Sequence, residues 1–263
     1  MPNSLGNNNE RYGTTTKECI MAVATSSTRT QCVCVECGAP VPSVVHVVHA
    51  DRLTQCQACG SFADKYVEYE SALIVLDMLL HRPSVYRHIL CNSGAYRTRS
   101  AVVRLGCTLL FFDTYLKWLR LGGWGSTVDQ PEACEEPSLL PAVPLARVTP
   151  ALLLSVVEQL LFCAVVSTTA RALALAPCRW ASLATAVLLS SFGKCFAVLH
   201  MIWSYPDAFV HAVDFFVLTC NCVALAQQLQ CTTPQAAAVV AAGGAAKGVL
   251  MLGASLMSLF STW

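Results

Sequence analysis

The stretch CQACGSFADKYVEYE, residues 56–70, decides how the chain is built. It begins as half of a metal knuckle and runs, without a spacer, into an apolar segment. Cys56-Gln-Ala-Cys59-Gly60 repeats the form of Cys34-Val-Glu-Cys37-Gly38, with eighteen residues between the two pairs. That is zinc-ribbon spacing, in which two thiolate hairpins converge on one tetrahedral ion. Glycine suits the position after each pair, because the knuckle turn needs a backbone conformation that a side chain hinders. The spacing predicts Zn2+ on Cys34, Cys37, Cys56 and Cys59; disulfide-prone pairs or inert thiols are the plainer reading. With four protein ligands the site is closed, so it stabilises a fold and cannot activate water.

Between the pairs, the valines of residues 43–53 favour extended structure. His46 and His49 fall in that run, where a three-residue step points to opposite faces, and read as ordinary ribbon residues. Cys32 has no place in a tetrahedral set and reads as a spare. The other cysteines, of fifteen in all, lie mostly in apolar runs as small hydrophobes. No signal peptide is evident, so paired cysteines belong to a reducing compartment, where they bind metal.

Charged residues make up 13% of the 263-residue chain and hydrophobic ones 55%; the mean hydropathy is +0.53. Soluble domains carry about 25% charged residues. The deficit marks a chain that uses lipid as solvent. A net charge of +1, with no dense basic face, argues against nucleic acid as a partner.

The expected fold is a small N-terminal β zinc ribbon followed by a mainly α-helical multi-span membrane domain with four or five transmembrane helices. Residues 1–31 are polar and read as disordered; 32–62 form the ribbon, 63–98 a helical remainder, and 99–263 the membrane domain. A helix is expected from Tyr66 to about Arg82, ended by Pro83, and a short one over Tyr86–Cys91. Apolar segments fall at about 101–119, 151–170, 181–203, 208–229 and 236–260. The first carries Arg104, Asp113 and Lys117, so it either crosses or lies at the interface. Arginines ahead of it place the ribbon in the cytosol, and a five-span path keeps Arg171 and Arg179 on that same side.

The order C-x-x-C, C-x-x-C, Asp64-Lys-Tyr-Val-Glu-Tyr-Glu70, Tyr86-Arg-His-Ile-Leu-Cys-Asn92 resembles the Arv homology domain of the Arv family. The likeness continues in Asp113-Thr-Tyr-Leu-Lys-Trp118, Leu188-Leu-Ser-Ser-Phe-Gly-Lys194 and Phe216-Val-Leu-Thr-Cys-Asn221. Its motif residues here are Asp64, Lys65, Tyr66, Glu68, Tyr69, Tyr86, Arg87, His88 and Asn92; Glu70 stands where the family commonly has Asp. The resemblance implies a multi-pass protein of the endoplasmic reticulum, and of the Golgi as a further site. It implies sterol movement between membranes, with effects on sphingolipid balance and on glycosylphosphatidylinositol precursors. The implied partners are those lipids and proteins that meet the cytosolic ribbon. No catalytic mechanism comes with the resemblance, so no enzyme activity is expected. The alternative is a lipid-modifying enzyme or flippase.

Ionisable residues inside apolar segments are costly and count as functional candidates. These are Glu158, Lys194 and Asp214. If their helices form an antiparallel hairpin, Glu158 and Lys194 fall at similar depth and either pair, in which case the swap Glu158→Lys with Lys194→Glu retains function, or face a polar cavity or snorkel separately. His211 and Asp214 lie one turn apart and read as structural polarity. Gly244-Ala-Ala-Lys-Gly248 offers a small face for helix packing, weakened by Lys247.

Overall fold

In the computed structural model, residues 32–45, 53–94, 96, 98–120, 145–175, 179–203 and 208–261 are described. His46, His49, the polar stretch 1–31 and the loop 121–144 lie outside them.

The ribbon opens with β1 (Cys32–Val33), which pairs antiparallel with β2 (Pro40–Val41) in the register Cys32 to Val41. Single bridges join Val45 to Leu53 and Gln55 to Phe62. Little of the ribbon is regular strand, because each chain segment turns back within a few residues around the cysteines. Its core is small: Cys34, Val41, Val44, Cys56 and Ala63.

Where the sequence predicts one helix over 66–82, the structure has a 3-10 turn (Lys65–Val67) and then α1 (Ser71–Leu79). Asp64 causes the break, since its carboxylate caps the turn by accepting the Tyr66 N–H at 3.0 Å. After α1 the chain reverses at His81, whose φ of 56° is a left-handed helix-ending conformation. Helix α2 (Pro83–Arg87) follows, with proline in its favoured first position, and passes into a π turn over His88–Asn92.

Helix α3 (Arg99–Arg120) and helix α4 (Leu145–Ala172) come next. Helix α4 starts six residues before the expected 151 and carries Pro150 in its second turn, where the proline forgoes one i→i−4 hydrogen bond. The third apolar segment is not one helix: α5 (Trp180–Ser190) tightens to a 3-10 stretch over Ser191–Phe196 before α6 (Ala197–Ile202). Gly193 lies in that stretch, so close to α7 (Ala208–Gln228) that an added Cβ would meet the Phe216 ring at 2.5 Å. Helix α8 (Thr233–Ser261) is last.

Among the described residues, four helical stretches are long and apolar enough to cross a membrane: Val148–Ala172, Trp180–Ile202, Ala208–Gln228 and Thr233–Gly253. Their shared core joins Phe162, Val166, Val187, Leu225 and Val239. Gly243, rather than Gly244, makes the close approach within it, since an added Cβ there would meet Phe162 at 2.7 Å. Helix α3 packs on α4 and on the 3-10 stretch, and its Asp113 and Lys117 are buried.

Candidate metal centre and buried charge cluster

Both knuckles repeat one set of hydrogen bonds. Gly38 N–H donates to Cys34 C=O at 2.9 Å and Gly60 N–H to Cys56 C=O at 2.8 Å. Cys34 N–H donates to Ala39 C=O and Cys56 N–H to Ser61 C=O, each at 2.8 Å. Gly38 and Gly60 hold φ of 78° and 74°, which a side chain would oppose. The repeat brings all four sulfur atoms within 4.8 Å of one another. Cys34 and Cys59 are 3.7 Å apart, Cys37 and Cys56 3.6 Å. A tetrahedral ion with metal–sulfur bonds of about 2.3 Å separates its thiolates by about 3.8 Å, so the set fits a metal. Burial pushes the Cys34 thiol up to about 12, whereas the backbone N–H groups of Cys59 and Ala58 draw Cys56 down to about 7. A cation at the centre favours the thiolate at all four. Cys32 is not among the converging sulfurs.

The motif residues that follow the knuckles clamp the ribbon to the helices. Asp64, wholly buried, accepts from Tyr66 N–H with Oδ1; its Oδ2 accepts from Asn92 Nδ2 at 2.8 Å and bonds with His88 Nδ1 at 2.7 Å. Asn92 also acts on β1 as a third strand would. Its Oδ1 accepts Val33 N–H at 3.0 Å and its Nδ2 donates to Val33 C=O at 2.9 Å. The π turn, closed by Ser93 N–H on His88 C=O at 2.8 Å, brings both His88 and Asn92 to Asp64. Arg87 Nη1 donates to the carbonyls of Val35 and Glu36 at 2.8 and 2.7 Å, and its Nε to Gln227 Oε1 of α7 at 2.7 Å. Lys65 pairs with Glu36 at 2.7 Å. Tyr66 O–H bonds Asp77 Oδ2 at 2.7 Å and Ser84 Oγ at 2.8 Å, and Tyr86 is buried against Leu189 and Ala224. Glu68 and Tyr69 are exposed; Tyr69 stacks edge-on with Tyr66.

Asn92→Ala removes three hydrogen bonds and orphans buried groups on Val33 and Asp64. It should weaken the clamp by roughly 3 kcal/mol, at about 1 kcal/mol per net bond. Hydrogen exchange at Val33 should rise while Gly38 and Gly60 stay protected.

The second site lies in the helices. Lys194 Nζ binds Asp113 Oδ1 at 2.8 Å, Lys117 bridges Asp113 Oδ2 and Glu158 Oε2, and the Lys117–Glu158 distance is 3.0 Å. All four are at most 9% exposed. The expected direct pair of Glu158 with Lys194 is thus replaced by a relay through Asp113 and Lys117. Asp113, Glu158, Lys194, Asp214 and Lys247 each lie fourteen residues from one end of a helical stretch: Arg99, Ala172, Trp180, Gln228 and Thr233 respectively. Those ends face the ribbon, as Arg87–Gln227 shows for α7. At 1.5 Å per residue the five form one layer about 21 Å from the ribbon end. They line a cavity of 240 Å³. Asp214 faces it, whereas His211 is exposed.

A family model described as the Arv1-like family matches residues 33–225, which span the ribbon, the clamp and α7 as far as Leu225. The chain belongs to the Arv1-like family. Among curated proteins it is 33% identical over 212 residues to "Protein arv1 homolog" of Dictyostelium discoideum, covering 76% of this chain and 86% of that one. It is 35% identical over 204 residues to "Protein arv1" of Schizosaccharomyces pombe, covering 73% of each, and 27% identical over 175 residues to "Protein ARV1" of Mus musculus, covering 65% and 62%. No solved structure matches. With its four spanning-capable helices, this member of the family is a multi-pass membrane protein.

Sequence reasoning missed Asp113 and Lys117 as site residues and counted their charge against the segment. The signal was there: a carboxylate and a lysine four apart in an apolar run pair on one helix face. Lys247, read as a flaw in a packing motif, lines the cavity.

Proposed function

We propose that the chain is a non-enzymatic mediator of sterol and lipid homeostasis in the endoplasmic-reticulum membrane, with its four cysteines holding structural zinc in a cytosolic ribbon. The observation that carries this reading is the buried charge layer joined to a ribbon clamped on the same helices, in a chain of the Arv1-like family. The closed four-sulfur set offers no position for a substrate, which favours a structural metal.

The reading includes five crossings. Helix α3 has 22 residues, about 33 Å at 1.5 Å per residue and enough to span the core. Its two charges in the layer are neutralised by α4 and by the 3-10 stretch. It also includes a membrane-embedded hairpin. His81, at the turn between α1 and α2, bonds Thr219 Oγ1 at 2.8 Å and packs on Phe216. Thr219 is eight residues inside Gln227, about 12 Å along α7. Outward from α1 point Leu73, Val75 and Leu76, each 46–51% exposed, which suits contact with acyl chains. A spin label at Leu76 should therefore read a hydrocarbon depth, with oxygen accessibility above that of a water-soluble relaxant. The opposite ratio would place α1 in water.

Function is tested in cells lacking their own Arv1-like protein. The wild-type chain should restore sterol distribution, and Asp113→Asn should not. Rescue by Asp113→Asn at equal protein level would remove the charge layer from the mechanism. A flippase is the second reading, favoured by the charged cavity; it predicts lipid translocation by the pure protein in liposomes.

A further inference from the structure

Within the charge layer, Asp113, Lys117, Lys194 and one oxygen of Glu158 satisfy one another, Asp214 lines the same cavity, and two groups stand apart from the network. Lys117 and Lys194 are taken by Asp113 and Glu158 Oε2. Glu158 Oε1 is buried with no hydrogen-bond partner among the described residues, on a side chain only 6% exposed. Lys247 Nζ lies 4.8 Å above the Phe162 ring and is in no ion pair among the described residues. Both residues line the 240 Å³ cavity. A buried acceptor without a donor and an ammonium with no ion-pair partner among the described residues leave part of their desolvation cost unmet. A ligand that brings a donor to one and an anion to the other does.

The cavity has a way in. Gly244 and Gly248 line its α8 wall and leave no side chain over one turn of the helix, and a Cβ added at Gly248 would meet no atom within 4 Å. Leu218 and Met251 add apolar surface to the same lining. The layer sits about 21 Å from the ribbon-side helix ends, past the middle of helical stretches about 32–38 Å long, so it lies nearer the leaflet away from the ribbon. At 240 Å³ the space falls below the roughly 300–1,000 Å³ of drug-sized pockets, which suits a headgroup and not a whole lipid.

We propose that this cavity binds the headgroup of a phospholipid from that leaflet, one that carries a phosphate together with an amine or hydroxyl donor. The phosphate meets Lys247, the donor meets Glu158 Oε1, and the lipid enters between α7 and α8 past Gly244 and Gly248, its stem against Leu218 and Met251. The inference rests on the lipid reading above and names the ligand class of that site.

The test is native mass spectrometry of the full chain released from micelles containing one added lipid. Phosphatidylethanolamine and phosphatidylglycerol, each with a phosphate and a donor, should be retained about tenfold better than phosphatidylcholine, which has no donor; this is the scale of one charge-assisted hydrogen bond. Lys247→Met should lower the retention of all three about tenfold and keep their order, because each carries the phosphate that Lys247 meets. Gly248→Leu, which has room to fold, should lower all three by closing the mouth. Equal retention of the three lipids by wild type, or unchanged retention in both variants, would overturn the proposal. Protection from heat by soluble O-phosphoethanolamine equal to that by the lipid would overturn lateral entry. Unselective retention with intact rescue in cells refutes the headgroup site alone. Selective retention with failed rescue refutes the homeostasis reading alone.

Discussion

Asp113→Asn should lower the stability of the purified protein by about 3–5 kcal/mol, the cost of breaking a buried ion pair by removing one partner. Asp113 is the hinge of the cluster, because each of its oxygens binds a different lysine, Lys194 through Oδ1 and Lys117 through Oδ2. Among the described residues, its loss leaves Lys194 without an ion-pair partner and Lys117 with Glu158 alone. A lysine at the centre of a span costs about 2.5–3.5 kcal/mol when it must pay for itself. Thermal unfolding in detergent should show the loss, and Lys194→Met added to Asp113→Asn should recover part of it by restoring neutrality. Recovery by neutralisation separates a charge effect from a packing defect. The same geometry reverses the sequence expectation for the swap Glu158→Lys with Lys194→Glu. That swap now sets a lysine beside Lys117 and a glutamate beside Asp113, so it should fail as badly as either single change. Function retained in the swap would contradict the relay.

Cys34→Ser should release the metal and unfold the ribbon. Structural zinc contributes apparent binding energies of about 10–16 kcal/mol in zinc-finger peptides, and in a core this small that energy is folding energy. Cys34 is wholly buried and its backbone closes the first knuckle from both sides. Exchange measured over residues 32–45 and 53–63 should rise to that of unfolded chain. The helices α3 to α8 should keep their protection, because their core around Phe162, Val187, Leu225 and Val239 contains no ribbon residue. Parallel loss in the helices would show that the ribbon folds only with the bundle.

The cysteine set was legible because metal geometry writes itself into local spacing: two residues between ligands, a glycine after each pair. The strongly apolar spans were legible for a similar reason, since hydropathy over about twenty residues is a local property. What could not be read depends on partners far along the chain. Along the chain Asp113 and Lys117 of helix α3 read as bare charges in an apolar segment; Lys194 and Glu158, which pair with them, stand on other helices. The break in the third apolar segment follows from Gly193 meeting Phe216, a contact no window of sequence contains.

The tight join in CQACGSFADKYVEYE has its reason in the same non-local contacts. Ala63 is itself ribbon: its N–H donates to Thr54 C=O and its C=O accepts from Val35 N–H. The next residue, Asp64, already belongs to the clamp with His88 and Asn92. Ribbon and clamp meet at a single peptide bond, so no spacer is possible. Tyr66 carries the chain onward by bonding Asp77 and Ser84.

The fold of the ribbon, and with it the clamp, depends on a metal at the four sulfurs. Elemental analysis of the full chain, purified without added metal and under reducing conditions, tests it most directly. One zinc per chain, falling to none in Cys34→Ser, is the predicted result. A wild-type chain that carries no metal and whose four thiols are joined in disulfides would contradict it.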